Sequence, residues 1–318
     1  MTPFARVRRT LLAGASALSC HSNGAVPPAA SDGASPPAPV RLELVTEKKL
    51  SKLLSGKIGK DYEASGVVVS GGSLYVAADD TTSIAVIDTA LDRGALGPGT
   101  VTSSQYEAIT ATDDGRFYVM IETASETDLR GEVVELDAST AFVRSAFTDV
   151  TFREFNKGFE GLAWLRNGGD EYLLALCQNN DCKDDDTTPG KGRVKVLELA
   201  GGVWTTAVSL KLPNDVEFLD YSDLAIRANG DGSYTAAVVS HRSSALWIGT
   251  LTTSPWALAG PSKFYEFPPG DDGRVAYCSV EGVTFLGPDV LAFVSDKSDG
   301  TDECTKEEES IHIFKTPS

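Results

Sequence analysis

The chain is short of positive charge. Its 318 residues carry 28 Lys and Arg against 45 Asp and Glu, a formal net charge of −17. A nucleic-acid binder needs a basic stripe to meet phosphates, so the composition argues against that partner class. Long apolar runs are missing as well: no stretch reaches 18 residues, the length a membrane-spanning helix needs. Signature motifs of common chemistries are also absent. There is no G-x-S-x-G elbow, no H-E-x-x-H, no phosphate-binding loop and no dinucleotide fingerprint. No loop matches the D-x-[DN]-x-[DN]-G calcium pattern, and no paired C-x-x-C argues for zinc. The 42% hydrophobic and 23% charged content is that of an ordinary globular protein.

The N-terminus has a targeting character. Arg6, Arg8 and Arg9 precede a short apolar stretch, Leu11 to Leu18, followed by Ser19 and Cys20. Residues 1–20 therefore read as an export signal, too short to span a membrane. The end ALSC resembles a bacterial lipobox, in which Cys20 is lipidated; ordinary cleavage nearby is the alternative. Residues 21–40 are rich in Pro, Ala, Ser and Gly and read as a tether. The expected location is the periplasm or outer membrane through a lipid anchor, or secretion, with 41–318 forming a single monomeric domain.

That domain repeats itself. EASGVVV from Glu63, YEAITA from Tyr106, FEGLAW from Phe159, YSDLAI from Tyr221 and VEGVTF from Val280 align. With Ser65, Glu107, Glu160, Ser222 and Glu281 in one column, the spacings are 42, 53, 62 and 59 residues. Periods of this size with short strands predict an all-β propeller. A Gly, Asn or Asp turn and a second strand follow each motif, for example Phe117–Ile121 and Val290–Ser295. A third strand comes next, as at Arg193–Leu199 and Ala245–Leu251. The fifth unit runs out of chain after its third strand, and Val40–Val45 is expected to complete it. Five blades are predicted, with six the alternative. Only Glu47–Leu54 is ambiguous between helix and strand.

In a propeller the starts of the first strands and the ends of the second strands meet at one mouth of the channel. The column places Glu107, Glu160 and Glu281 there, as candidate metal ligands. Glu63 and Asp220 lie two residues before the column and share its face, and Asp223 follows Ser222 directly; these and Arg242 are candidate ligand-binding residues. The second strands end in Asp79, Glu122, Gln178, His241 and Asp296, a polar set. Converging carboxylates need a cation, a basic partner or protons. Oxygen-only donors suit Ca²⁺. The plainer alternative is that these acids accept backbone hydrogen bonds and hold blades together. His241 is the one histidine placed for general-base chemistry. Cys177, Cys182, Cys278 and Cys304 map to the same face, and local spacing favours disulfides Cys177–Cys182 and Cys278–Cys304.

The E-x-S-G, E-G-L-A-W and E-G-V-T-F motifs resemble exported bacterial propellers of the esterase-like phytase and SdiA-regulated groups. More distantly they resemble gluconolactonase/SMP-30-like propellers, in which a Glu of an E-G-P-x-W motif binds a divalent metal. That resemblance implies a metal role for Glu160, although Leu162 replaces the Pro. Three functional readings follow. The first is binding of a cation or small ligand at the acidic mouth. The second is a Ca²⁺-dependent hydrolase of phosphoester or lactone substrates, with His241 as base. The third is a protein-binding scaffold using its long acidic loops, favoured if Trp164 and apolar side chains fill the channel.

Overall fold

The computed structural model describes residues 39–54, 62–99, 105–123, 125–155, 157–182, 188–271, 273–297 and 307–317. Residues 1–38, with Cys20, and Cys304 lie outside the described residues. Pro39–Ser318 forms one unit.

Strand pairing follows the repeat. The first strands are Ala64–Ser70, Tyr106–Ala111, Phe159–Asn167, Asp223–Ala228 and Val280–Phe285. Each pairs antiparallel with the strand after it, through turns built on Gly, Asn and Asp. Gly71, Gly72, Gly168 and Gly169 hold the positive φ that such turns require. The described strands make five four-stranded sheets, hereafter blades one to five. Blades two and three are joined at their outer strands by a single parallel bridge, Thr148 to Trp204. The second and third strands begin and end within two residues of where the sequence pattern places them. The fold is an all-β propeller.

The N-terminal segment closes the last blade in a shifted register. Glu43–Lys49 pairs antiparallel with Ser310–Lys315 and supplies the outer strand of blade five. The expected Val40–Val45 is thus corrected. Val40 and Leu42 instead exchange backbone hydrogen bonds with Glu266, on the outer strand of blade four. The ambiguous stretch Glu47–Leu54 divides into the end of this strand and one helical turn, Leu50–Leu53. That turn buries Leu50 and Leu53 between blades one and five.

Five hydrophobic clusters lie between the sheets, one for each neighbouring pair. Blade one packs on both two and five, so the sheets form a closed ring. Alternating side chains make this possible: each sheet offers an apolar residue to both neighbours. Adjacent inner strands are also cross-linked. Thr110 Oγ1 accepts the Trp164 amide at 2.9 Å, and Thr284 Oγ1 accepts the Val69 amide at 3.2 Å.

The inner strands approach most closely at the repeated motif. In four blades the register slips by one residue there, leaving Ser65, Glu107, Glu160 and Glu281 as the extra residues of β-bulges. A bulge re-aims a side chain out of the alternating pattern. The residue after it must be small. A Cβ added to Gly161 would sit 2.7 Å from the Leu224 amide nitrogen, and one on Gly282 would sit 2.9 Å from that of Val67. One on Gly66 would sit 2.9 Å from Ala108 Cα. Each contact is with the backbone of the next blade, which cannot yield as a side chain can.

Gly161→Ala and Gly282→Ala are therefore expected to destabilise the protein by about 1–3 kcal/mol each, the usual range for overpacking a rigid site. Gly287→Ala, where the nearest atom is 4.0 Å away, should stay within about 0.5 kcal/mol. Urea denaturation of the three variants checks this; equal midpoints would contradict the close-approach account.

Candidate functional site

The bulges and the second-strand ends build one cavity of about 240 Å³ at the mouth of the channel. Each blade contributes one residue of each kind. The bulge column gives Ser65, Glu107, Glu160, Ser222 and Glu281; the second strands give Asp79, Glu122, Gln178, His241 and Asp296. Asp220 and Tyr221 complete the wall. The second-strand ends are fixed by backbone bonds to the residues before the bulge. Asp79 N–H reaches Glu63 O at 3.0 Å, Gln178 N–H reaches Gly158 O at 3.0 Å and Asp296 N–H reaches Ser279 O at 2.8 Å. Gly158 must lack a side chain because its Cβ would lie 2.6 Å from the Glu122 carbonyl oxygen.

Among the described residues, seven carboxylates line this wall and His241 is its only basic member. Burial and crowding act together on them. Burial first, then hydrogen bonding and repulsion from Glu63, raise the Asp79 carboxyl to about 7. Burial first, with repulsion from Glu281 and Asp79 among the further causes, raises Asp296 to about 8. Burial and then the Glu122 charge push both Glu107 and Glu160 well above the usual carboxylate range. Asp220 is raised chiefly by burial, against a bond from Ser240 Oγ at 2.6 Å. Glu63 neighbours Asp79 and helps to raise its carboxyl, and Glu122 neighbours Glu160 and does the same there. Asp79 Oδ1 is buried with no hydrogen-bond partner.

The candidate residues divide into those the fold brings together and those it does not. Glu107, Glu160, Glu281, Asp220 and His241 all line the cavity. His241 Nδ1 lies 2.8 Å from Glu281 Oε1, and its amide bonds Ser222 Oγ at 3.0 Å. Glu63 stands behind Asp79 rather than in the wall. The proposed metal trio is not gathered round a point: the oxygens of Glu107, Glu160 and Glu281 do not all lie within 4.8 Å of one another.

Two ligand-binding expectations are corrected. Asp223 occupies the position that is Gly in three other blades, and it is 1% exposed. Its carboxylate accepts the amides of Leu224 at 2.7 Å and Val283 at 2.8 Å, and that of Leu162. It bolts blades three, four and five together and faces no ligand. Arg242 turns its side chain to solvent, and its backbone amide, 3.1 Å from Asp220 Oδ1, makes the contact.

Asp79, Glu122, Gln178 and Asp296, which the sequence puts at this mouth as second-strand ends without singling them out as site residues, line the cavity. The signal that finds them is position: each follows the last residue of a second strand. Among the cysteines, Cys177 and Cys182 form the expected disulfide, with Cα atoms 5.2 Å apart, and so brace the loop beyond Gln178. Cys278 is disulfide-bonded; its expected partner, Cys304, is outside the described residues. Trp164 does not fill the mouth. It lies at the other end of the channel.

Comparison with known proteins extends the fold alone. No family model matches the chain, and no curated protein matches it. Solved structures do. A GH43 β-xylosidase/α-arabinofuranosidase from a compost microbial metagenome superposes with a TM-score of 0.53 at 10% identity, covering 85% of this chain and 95% of that one. The glutaminyl cyclase of Myxococcus xanthus gives 0.50 at 13% identity, covering 88% and 100%. A GH43 enzyme of Xanthomonas citri gives 0.50 at 14%, covering 80% and 88%. These neighbours are propellers, and the likeness places this chain in that class of fold.

The raised carboxyls make stability depend on pH. Between the ordinary carboxylate pKa of about 4 and their own higher values, these groups are protonated in the folded chain and ionised in the unfolded one. Stability from this source is present at low pH and is lost as pH rises through about 7 for Asp79 and about 8 for Asp296. With chelator present, the melting temperature should fall from pH 5 to pH 9, and Asp79→Asn with Asp296→Asn should flatten the fall. A melting temperature that rises over this range would contradict the assignment.

Proposed function

We propose that this protein is a ligand-binding propeller whose acidic mouth takes a hard cation, with Ca²⁺ the first candidate. One observation carries the reading: among the described residues, seven carboxylates share a cavity of about 240 Å³ with His241 as the only basic wall residue. Charge of one sign at that density needs either protons or a cation. The donor set is oxygen with a single imidazole, which suits Ca²⁺ or Mg²⁺ better than softer metals. The unpartnered Asp79 Oδ1 is an oxygen that a cation or its water would satisfy. Because the carboxylates are spread round the wall, the ion keeps part of its water shell, with Glu160, Glu281, Asp79 and Asp296 as the residues that hold it. The resemblance of FEGLAW to the metal-binding motif of gluconolactonase-like propellers points the same way for Glu160.

A second reading, hydrolysis, is favoured by the His241–Glu281 contact at 2.8 Å. Glu281 orients the imidazole and stabilises its protonated form, which is what a general base requires. A bound cation would supply polarisation of a substrate oxygen. The braced Cys177–Cys182 loop fits an oxidising compartment, consistent with the leader and with export, by lipid anchor at Cys20 or by secretion.

Ca²⁺ binds the folded ring and hardly the unfolded chain, so it should stabilise the protein by ~2.7 kcal/mol at a hundredfold excess over its dissociation constant. Glu160→Gln with Glu281→Gln keeps the volume and removes two charges. This double variant should lose the Ca²⁺-dependent rise in melting temperature while its cation-free stability stays equal or increases. Wild-type melting that ignores Ca²⁺, Mg²⁺ and chelator, with a double variant much less stable than wild type, would overturn the reading and leave these residues as structural acceptors.

A further inference from the structure

The inner strands enclose a second cavity where they end, of about 380 Å³. Its walls differ in kind from those of the acidic mouth. Val67, Ile109, Leu162 and Val283 make most of it apolar, and Phe285 and Trp164 add aromatic surface. Two polar side chains in this wall are left unsatisfied by the protein. Trp164 Nε1 and Arg227 Nε are both buried and have no hydrogen-bond partner. Buried donors are nearly always paired, because an unpaired one loses its bonds to water and gains nothing. Both atoms are closed off from the cavity as well as from solvent, so any acceptor in the cavity must meet the rest of the guanidinium.

The charges identify that acceptor. Arg227 makes no ion pair among the described residues; its Nη2 reaches only Thr235 Oγ1, at 3.4 Å. Its guanidinium lies 5.6 Å from the centre of the Phe285 ring. Asp113, the one acid lining the cavity, is engaged by Arg166 Nη1 at 3.3 Å. One uncompensated positive charge among apolar walls matches one negative charge on a largely apolar molecule. The volume lies within the range of small-molecule sites, about 300–1,000 Å³.

We propose that this second cavity binds a small monocarboxylate with an apolar body, its carboxylate held by Arg227 and its body set against the rings of Phe285 and Trp164. The site is independent of the acidic mouth, which would repel the same ligand. Charge therefore sorts ligands between the two ends of the channel.

Trp164 is one of only four tryptophans, so its indole N–H signal is readily followed by NMR and assigned with Trp164→Phe. The probes are benzoate, phenylacetate and hexanoate, each set against its neutral amide. At least one acid should shift the Trp164 signal saturably, and its amide should bind at least about tenfold more weakly, as expected when a charge-assisted bond is lost. Arg227→Met should weaken the acid by a similar factor. The Glu160→Gln/Glu281→Gln variant should bind the acid unchanged. No shift with any acid, equal binding of acids and amides, or loss of binding in the mouth variant would overturn the proposal. The comparison of acid with amide uses wild-type protein and stands even if a variant fails to fold.

Discussion

Three of the five inner strands lie against the backbone of the next at a distance that excludes a side chain. Gly66, Gly161 and Gly282 make that approach possible, and the bulge beside each turns the preceding residue toward the channel. The two features belong together. Without the glycine the blades would stand apart and the five apolar interfaces would open. Without the bulge, Glu160 and Glu281 would keep the ordinary alternation of a strand and face a neighbouring sheet. In blade four Asp223 takes the glycine position and meets the same constraint differently, by accepting amides from strands on both sides.

Electrostatics follows from this geometry. Five blades converging at their narrow end put acids of neighbouring repeats close together in a partly dry space. Their charges cannot all be retained, so protons or a cation must be taken up. The far end of the channel shows the opposite imbalance, with apolar walls and a single unpaired guanidinium. A propeller thus presents two chemically distinct cavities on one axis, because the first strands begin in acids and end in aliphatic and aromatic residues.

Much of the fold was legible because two-residue alternation and turn residues recur five times at propeller spacing. The acidic column was legible for the same reason. What the sequence concealed were effects of register and of neighbouring blades. Asp223 sits one residue from the column, and only the contact with Val283 shows that it serves the backbone. Val40–Val45 reads as the missing outer strand because the fifth unit runs out of chain, yet Val40 and Leu42 are captured by Glu266 of blade four before the chain reaches blade five. Asp79 and Asp296 resembled ordinary loop acids; their importance comes from burial, which local composition does not reveal. Spacing along the chain also could not show that Glu107, Glu160 and Glu281 face one cavity without meeting at one point.

On the proposed reading, protons and a cation compete for the same carboxylates. Titration calorimetry of Ca²⁺ at pH 7 in buffers of different ionisation enthalpy measures the protons released per ion bound. A net release is expected, because Asp79 and Asp296 still hold protons near neutrality and give them up to the ion. Binding with an apparent enthalpy identical in every buffer, or no binding heat at all, would contradict it.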